Sequence, residues 1–153
     1  MSSWQLQEAR ARLPEGVKKA AQEGPQHTTL HGEPAVAAWF EEVADEALHL
    51  SVLTLGELRR GVEKLPAGKR KEKLRYWLEH EVPAWFGERL LPVDTFVADT
   101  WGRLQAVAER TLPAIDGLLA ATAIHHHLGL VTRNPKDFDV PGLVTINPWS
   151  GRA

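Results

Sequence analysis

Three stretches of this chain place acidic or amide side chains where an apolar run gives way to a helix start. They are Ser51-Val52-Leu53-Thr54-Leu55-Gly56-Glu57-Leu58-Arg59-Arg60-Gly61, Pro113-Ala114-Ile115-Asp116-Gly117-Leu118-Leu119-Ala120-Ala121-Thr122-Ala123 and Val131-Thr132-Arg133-Asn134-Pro135-Lys136-Asp137-Phe138. Glu57, Asp116 and Asp137 are distant in sequence. Carboxylates gathered at one crevice repel each other unless a cation sits among them. Mg2+ or Mn2+ suits that task, because a hard cation takes oxygen ligands and keeps waters for chemistry. Each acid also has a plainer account. Thr54-x-x-Glu57 reads as a capping box, Asp116 as a carboxylate favoured by a helix dipole, and Asp137 as a turn residue.

Charge is the second chemical signal. Arg59, Arg60, Lys64, Lys69, Arg70, Lys71, Lys73 and Arg75 face only Glu63 and Glu72 between positions 59 and 75, a local charge of +6 in a chain of net charge −2. Such a stretch is either a solvated helical face or a patch that neutralises nucleic-acid phosphates. His125-His126-His127 is a weaker signal, since consecutive helical residues diverge by about 100° and do not share one ion easily. These histidines read better as partial cations at a helix C-terminus. The absence of cysteine excludes disulfides, thiolate zinc sites and a cysteine nucleophile. No glycine-rich phosphate loop and no Ser/His/Asp spacing is present, which leaves nucleotide hydrolysis and acyl transfer far behind.

The elements that must position these groups alternate. Leu48–Val52 reads as a strand, followed by a helix from about Thr54 to Lys64. Leu74, Trp77, Leu78 and Val82 form the apolar stripe of the next helix, which carries part of the basic cluster. Leu90-Leu91-Pro92-Val93 is a short apolar connection with strand character. Thr95 to Arg110 carries Val97, Trp101, Leu104 and Ala108 at helical steps, with Asp94 or Thr95 as N-cap. Ala114 to His127 reads as a buried helix, with Gly129 placed as a C-cap glycine before the strand Leu130–Thr132. Leu143–Ile146 is a last strand, ended by Asn147-Pro148. Upstream, Pro34 opens a helix reaching about Ala44. Strands separated by helices predict an α/β fold, a mainly parallel sheet with helices on both faces. In such sheets the functional crevice lies at the carboxyl ends of the strands.

Length and composition agree. A chain of 153 residues is one domain's worth, and 43% hydrophobic with 25% charged residues is ordinary for a globular protein. No apolar run approaches the roughly 20 residues that cross a bilayer. The start, MSSWQLQEARAR, is charged where a signal peptide is apolar, so no membrane association and a cytoplasmic location are expected.

From about Pro34 to Trp149 the sequence resembles the VapC-type PIN-domain ribonuclease toxins. The resemblance rests on "LSVLTLGELRRG", "ERLLPVD", "DGLLAATAIHHHLGLVTRNPKDF" and "INPW", whose order and spacing are family-like over roughly three quarters of the chain. It implies a three-layer PIN fold and Mg2+- or Mn2+-dependent endoribonuclease activity in a type II toxin–antitoxin system, with an antitoxin partner and a homodimer. It carries Glu57 and Asp116 over as metal-site acids. Asn134 falls at the fourth acidic position of some members, and Asp137 is the neighbouring candidate. Arg59, Arg60, Lys69, Arg70, Lys71 and Arg133 would hold the RNA backbone.

The resemblance fails at one place. These toxins begin with a strand ending in a motif like "LLDTNV", whose aspartate is the first metal ligand, and nothing like it precedes Pro34. Residues 1 to about 36 resemble instead the N-terminal part of Phd/YefM-type antitoxins, through Trp4-Gln5-Leu6-Gln7-Glu8-Ala9-Arg10-Ala11-Arg12-Leu13 and "EGPQHTTLHGEPAVA". The expected organisation is an antitoxin-like segment over 1–33 and a PIN-like domain over 34–153 that lacks its usual first strand. His27–Leu30 is the segment expected to fill that strand's seat, bringing His31 and Glu33 toward the crevice. The alternative is a catalytically impaired PIN-like protein that dimerises or contacts DNA or an antitoxin.

Overall fold

Strand-to-helix junctions organise the computed structural model, which describes residues 42–132 and 134–147. The expectations for His27–Leu30, His31, Glu33, Arg133, Trp149 and the antitoxin-like segment fall outside the described residues, as does nearly all of the helix expected from Pro34. The chain divides into two units, one ending at Leu91 and the other beginning at Pro92.

In the first unit, β1 (Leu50–Ser51) runs without a linker into α1 (Val52–Glu63). Ser51 is both the last strand residue and the N-cap: its Oγ accepts from the Leu53 N–H at 3.1 Å. The helix therefore starts two residues before the expected Thr54, and Thr54 is not a cap. It lies buried one turn inside, in line with Leu58 and Val62. Serine caps at least as well as threonine, and strand pairing already holds Ser51 extended.

The expected stripe of Leu74, Trp77, Leu78 and Val82 is fully interior, joined by Leu50, Leu58, Val62 and Phe86. Burying each large apolar side chain contributes about 1.5–3 kcal/mol. These residues span α2 (Lys69–Tyr76), a π-helical turn (Trp77–Glu81) and α3 (Val82–Phe86). The Val82 N–H bonds to the Trp77 carbonyl, five residues back, and Pro83 follows with no N–H to offer. In an unbroken α-helix the proline ring would collide with the carbonyl four residues earlier. The wider turn relieves that collision. A 3-10 turn, Gly87–Arg89, then leads to β2 (Leu90–Leu91), which pairs parallel with β1 in the register Leu50↔Leu90, Ser51↔Leu91.

In the second unit, Asp94 caps α4 (Thr95–Val107) by accepting from the Val97 N–H at 2.9 Å. The helix stops three residues short of the expected Arg110. Gln105 explains the stop: its Nε2 donates to the Leu112 carbonyl at 3.1 Å, while its Oε1 accepts from the Leu112 N–H at 3.2 Å. That bracket turns the chain back and seats Leu112 in the interior.

α5 (Ala114–His125) buries Gly117, Leu119, Ala120, Ala121, Thr122 and Ala123. It ends in a Schellman turn, with the Leu128 N–H on the Ala123 carbonyl (2.8 Å) and the His127 N–H on the Ile124 carbonyl (3.1 Å). The left-handed residue is His127, φ 55°, and not the expected Gly129. Gly129 serves another purpose, since a Cβ there would stand 2.8 Å from Ile146 Cδ1. β3 (Leu130–Val131) and β4 (Thr145–Ile146) pair parallel, Leu130↔Thr145 and Val131↔Ile146. The four strands among the described residues have two residues each, shorter than the apolar runs suggest, and the two pairings are parallel as expected.

Candidate active site

Glu57 sits in the second turn of α1, seven residues beyond the start of β1. Strand pairing and the Ser51 cap fix where that helix begins, and Leu58 and Val62 fix which side faces inward. Glu57, next to Leu58, is therefore half-buried, with Oε2 withdrawn from solvent. Its location follows from the junction, which is the geometry the sequence predicts for a crevice acid.

Asp116 is the third residue of α5, in the first turn where N–H groups and the helix dipole favour negative charge. Its carboxyl is nevertheless held above the ordinary aspartate range, first by burial and further by the charge of Asp137. The close fit beneath it is set by Gly117. A Cβ at that position would lie 2.9 Å from both Trp101 Nε1 and Gln105 Nε2, so only glycine lets α5 approach α4 this closely.

Asp137 belongs to a 3-10 turn, Pro135–Phe138, that follows β3. Thr132, wholly buried, accepts the Asn134 N–H on its Oγ1 at 3.0 Å, and Asn134 O accepts the Asp137 N–H at 3.0 Å. Phe138 is buried and anchors the far end of the turn, while Arg110 Nη2 holds the Lys136 carbonyl at 2.8 Å. Asn134 and Asp137 both stay exposed. The second unit thus brings Asp116 into the field of Asp137. Glu57 belongs to the first unit.

Several residues of the basic stretch make local contacts. Arg59 forms ion pairs with Glu79 at 2.8 Å and Glu63 at 3.2 Å, which raise its pKa and lower that of Glu79. Lys71 Nζ donates to the carbonyls of Glu63 and Leu65, closing the C-terminal end of α1. Arg75 pairs with Glu72. Arg60, Lys69 and Arg70 are exposed on the surface of this unit. Arg59, Lys71 and Arg75 thus direct their charges to contacts within this unit.

Oxygen donors only make up this set, which fits a hard divalent cation in kind. A half-buried carboxyl whose proton affinity is raised by burial and by a neighbouring carboxylate is also the arrangement such a cation relieves. Among the described residues no three His, Asp or Glu side chains form a metal-holding group. No helix among them is long and apolar enough to cross a membrane. Sequence reasoning missed Gln105 and Arg89, two residues that hold backbone in place. Nothing in their spacing marks them, because their partners are carbonyls and not side-chain types.

Residues 29–142 match the PIN domain family. The VapC ribonuclease Y4jK of Sinorhizobium fredii is 38% identical over 118 residues, covering 75% of this chain and 84% of that protein. Toxin FitB of Neisseria gonorrhoeae is 36% identical over 117 residues, covering 74% and 84%. Among solved structures, FitAB bound to an IR36 DNA fragment superposes with a TM-score of 0.73 at 31% identity, over 79% of this chain and 87% of that one. With these matches running through both units, the chain belongs to the PIN-domain family and, within it, to the VapC-type toxins.

Proposed function

We propose that this chain is a toxin of a toxin–antitoxin system that cleaves RNA hydrolytically with a divalent cation, Mg2+ or Mn2+. The observation that carries the reading is the match to PIN-domain and VapC ribonuclease sequences through both units, with Asp116 at a helix start near Asp137 as its local counterpart. Glu57 and Asp116 are the metal-site acids, and Asp137 or Asn134 orients the attacking water. When bound, the cation supplies charge neutralisation at the phosphate and a more acidic water. The chain's own contribution is to hold the acids in place. The Ser51 cap and strand register fix Glu57, and the turn at Asn134–Asp137 presents two polar groups beside Asp116. Exposed Arg60, Lys69 and Arg70 contact the RNA backbone, with Arg59, Lys71 and Arg133 as further candidates. An antitoxin is the expected protein partner, in keeping with the FitAB complex, and the active form is a homodimer.

Cleavage of a generic RNA in Mg2+ or Mn2+, its loss with chelator, and its loss in Glu57→Ala and Asp116→Ala test this directly. Activity that survives both substitutions removes the catalytic assignment. One observation favours the second reading, a PIN-like protein that binds DNA or an antitoxin without turnover: residues 1–44 contain no aspartate. RNA or antitoxin binding without metal-dependent cleavage would establish it.

A further inference from the structure

The reach of one side chain across the first unit points to a role outside the acid set. We infer that Arg89 is a positioning residue: it locks the register of β1 against β2 and thereby the seat of Glu57. Arg89 ends the 3-10 turn that enters β2. Its Nη1 donates to the carbonyls of Asp45 and Leu48, both at 2.7 Å, and its Nη2 to the carbonyl of Trp85, also at 2.7 Å. The guanidinium carbon lies 4.6 Å from the Trp85 ring centre and 5.5 Å from that of Phe86. One planar cation thus ties the chain entering β1 to the chain leaving α3, across 41 and 44 residues of sequence.

The clamp matters because the described strand pair is short. Among the described residues its register is Leu50↔Leu90 and Ser51↔Leu91. A slip of one residue displaces a strand by about 3.3 Å and turns its side chains to the other face. A slip of β1 would take buried Leu50 out of the core. Ser51 would move with it, and with it the start of α1, since no linker separates strand from helix. Oxygen ligands sit about 2.0–2.6 Å from a divalent cation, so a shift of that size takes Glu57 out of reach of one. Lysine does not substitute. A point charge on a flexible stem cannot hold three carbonyls in fixed directions or stack its face on an indole.

The link to catalysis rests on the metal-nuclease reading, whereas the register claim does not. The test uses the full chain as wild type, Arg89→Lys, Arg89→Ala and Glu57→Gln. Amide hydrogen exchange is followed over residues 48–57 and, as an internal reference, over 114–125. RNA cleavage in Mn2+ is measured in parallel. In Arg89→Lys, exchange over 48–57 should rise by about tenfold or more, as loss of charge-assisted bonds to backbone implies, while 114–125 stays unchanged. Turnover should fall by a similar factor with KM for RNA held within about twofold, because substrate contacts are untouched. Unchanged exchange over 48–57 overturns the clamp. Accelerated exchange with wild-type turnover overturns its role in the reaction. If Arg89→Ala does not fold, Arg89→Lys alone decides. A wild type that cleaves no more RNA than Glu57→Gln sinks the nuclease reading instead, and the exchange measurement then decides the register claim by itself.

Discussion

Gly117→Ala and Gly102→Ala make the same chemical change inside two packed helices, and the structure assigns them opposite signs. At Gly102 a Cβ meets nothing within 4 Å. Alanine there gains helix propensity and should stabilise by about 0.5–1 kcal/mol. At Gly117 the same atom would stand 2.9 Å from Trp101 Nε1, 3.0 Å from Trp101 Cδ1 and 2.9 Å from Gln105 Nε2. The glutamine amide can swing away, but doing so breaks the two-bond bracket on Leu112, worth about 1 kcal/mol per bond. The indole is rigid and half-buried, so α4 and α5 must part slightly, at about 1–3 kcal/mol for overpacking. Set against the propensity gain, the net is a loss of about 2–4 kcal/mol. For a chain of this size that lowers the melting temperature by roughly 2–4 °C per kcal/mol. Urea unfolding of both variants, followed by tryptophan fluorescence, reads the difference. A Gly117→Ala protein as stable as Gly102→Ala would refute the close approach that positions Asp116.

Asp116 also has a pH signature. Burial and Asp137 raise its native pKa above the ordinary 3.8, so ionising it costs native stability. Relative to Asp116→Asn, the wild type should lose stability as pH rises from that ordinary value through the raised one, then run parallel to it at neutral pH. Parallel curves throughout would show that burial leaves the group unperturbed. Trp77 is 1% exposed, and its indole N–H has no hydrogen-bond partner among the described residues. Trp77→Phe should be near neutral in chemical denaturation, the smaller ring's lost packing offset by removal of an unsatisfied donor, whereas Trp77→Ala should cost about 3–5 kcal/mol. In RNA binding, Lys69→Ala with Arg70→Ala should reduce the slope of log K against log salt by about 0.7 per lost phosphate contact. An unchanged slope returns both residues to the solvated face.

Much of the helical architecture was legible because buried periodicity and caps are local. Leu74, Trp77, Leu78 and Val82 are interior as their spacing implies, and Asp94 caps its helix. Three features were not legible, each for a tertiary reason. Ser51 and Thr54 are equally good caps on paper, and only pairing of Ser51 with Leu91 decides between them. Helix α4 ends at Val107 without a glycine or proline, because Gln105 captures a backbone segment seven residues on. His127 takes the left-handed position while Gly129, the expected residue, is consumed by the approach of Ile146. Of the candidate site, Glu57 lies in the helix that follows β1 directly, and Asp116 in the first turn of α5. That Arg59 spends its charge on Glu79, twenty residues away, depends on a π-turn that no propensity scale marks.

The π-turn also makes the first unit sensitive to chain length in an unusual way. Removing one residue between Trp77 and Glu81 would restore an ordinary helical pitch, and everything downstream would rotate by about 100°. Val82 and Phe86 would swing away from Leu58 and Val62, and the backbone that presents Arg89 to Leu48 would swing with them. Pro83 would then fall inside a continuous helix, at about 3 kcal/mol. The extra residue and the proline are thus tolerable only together, so a drift that loses one must lose the other.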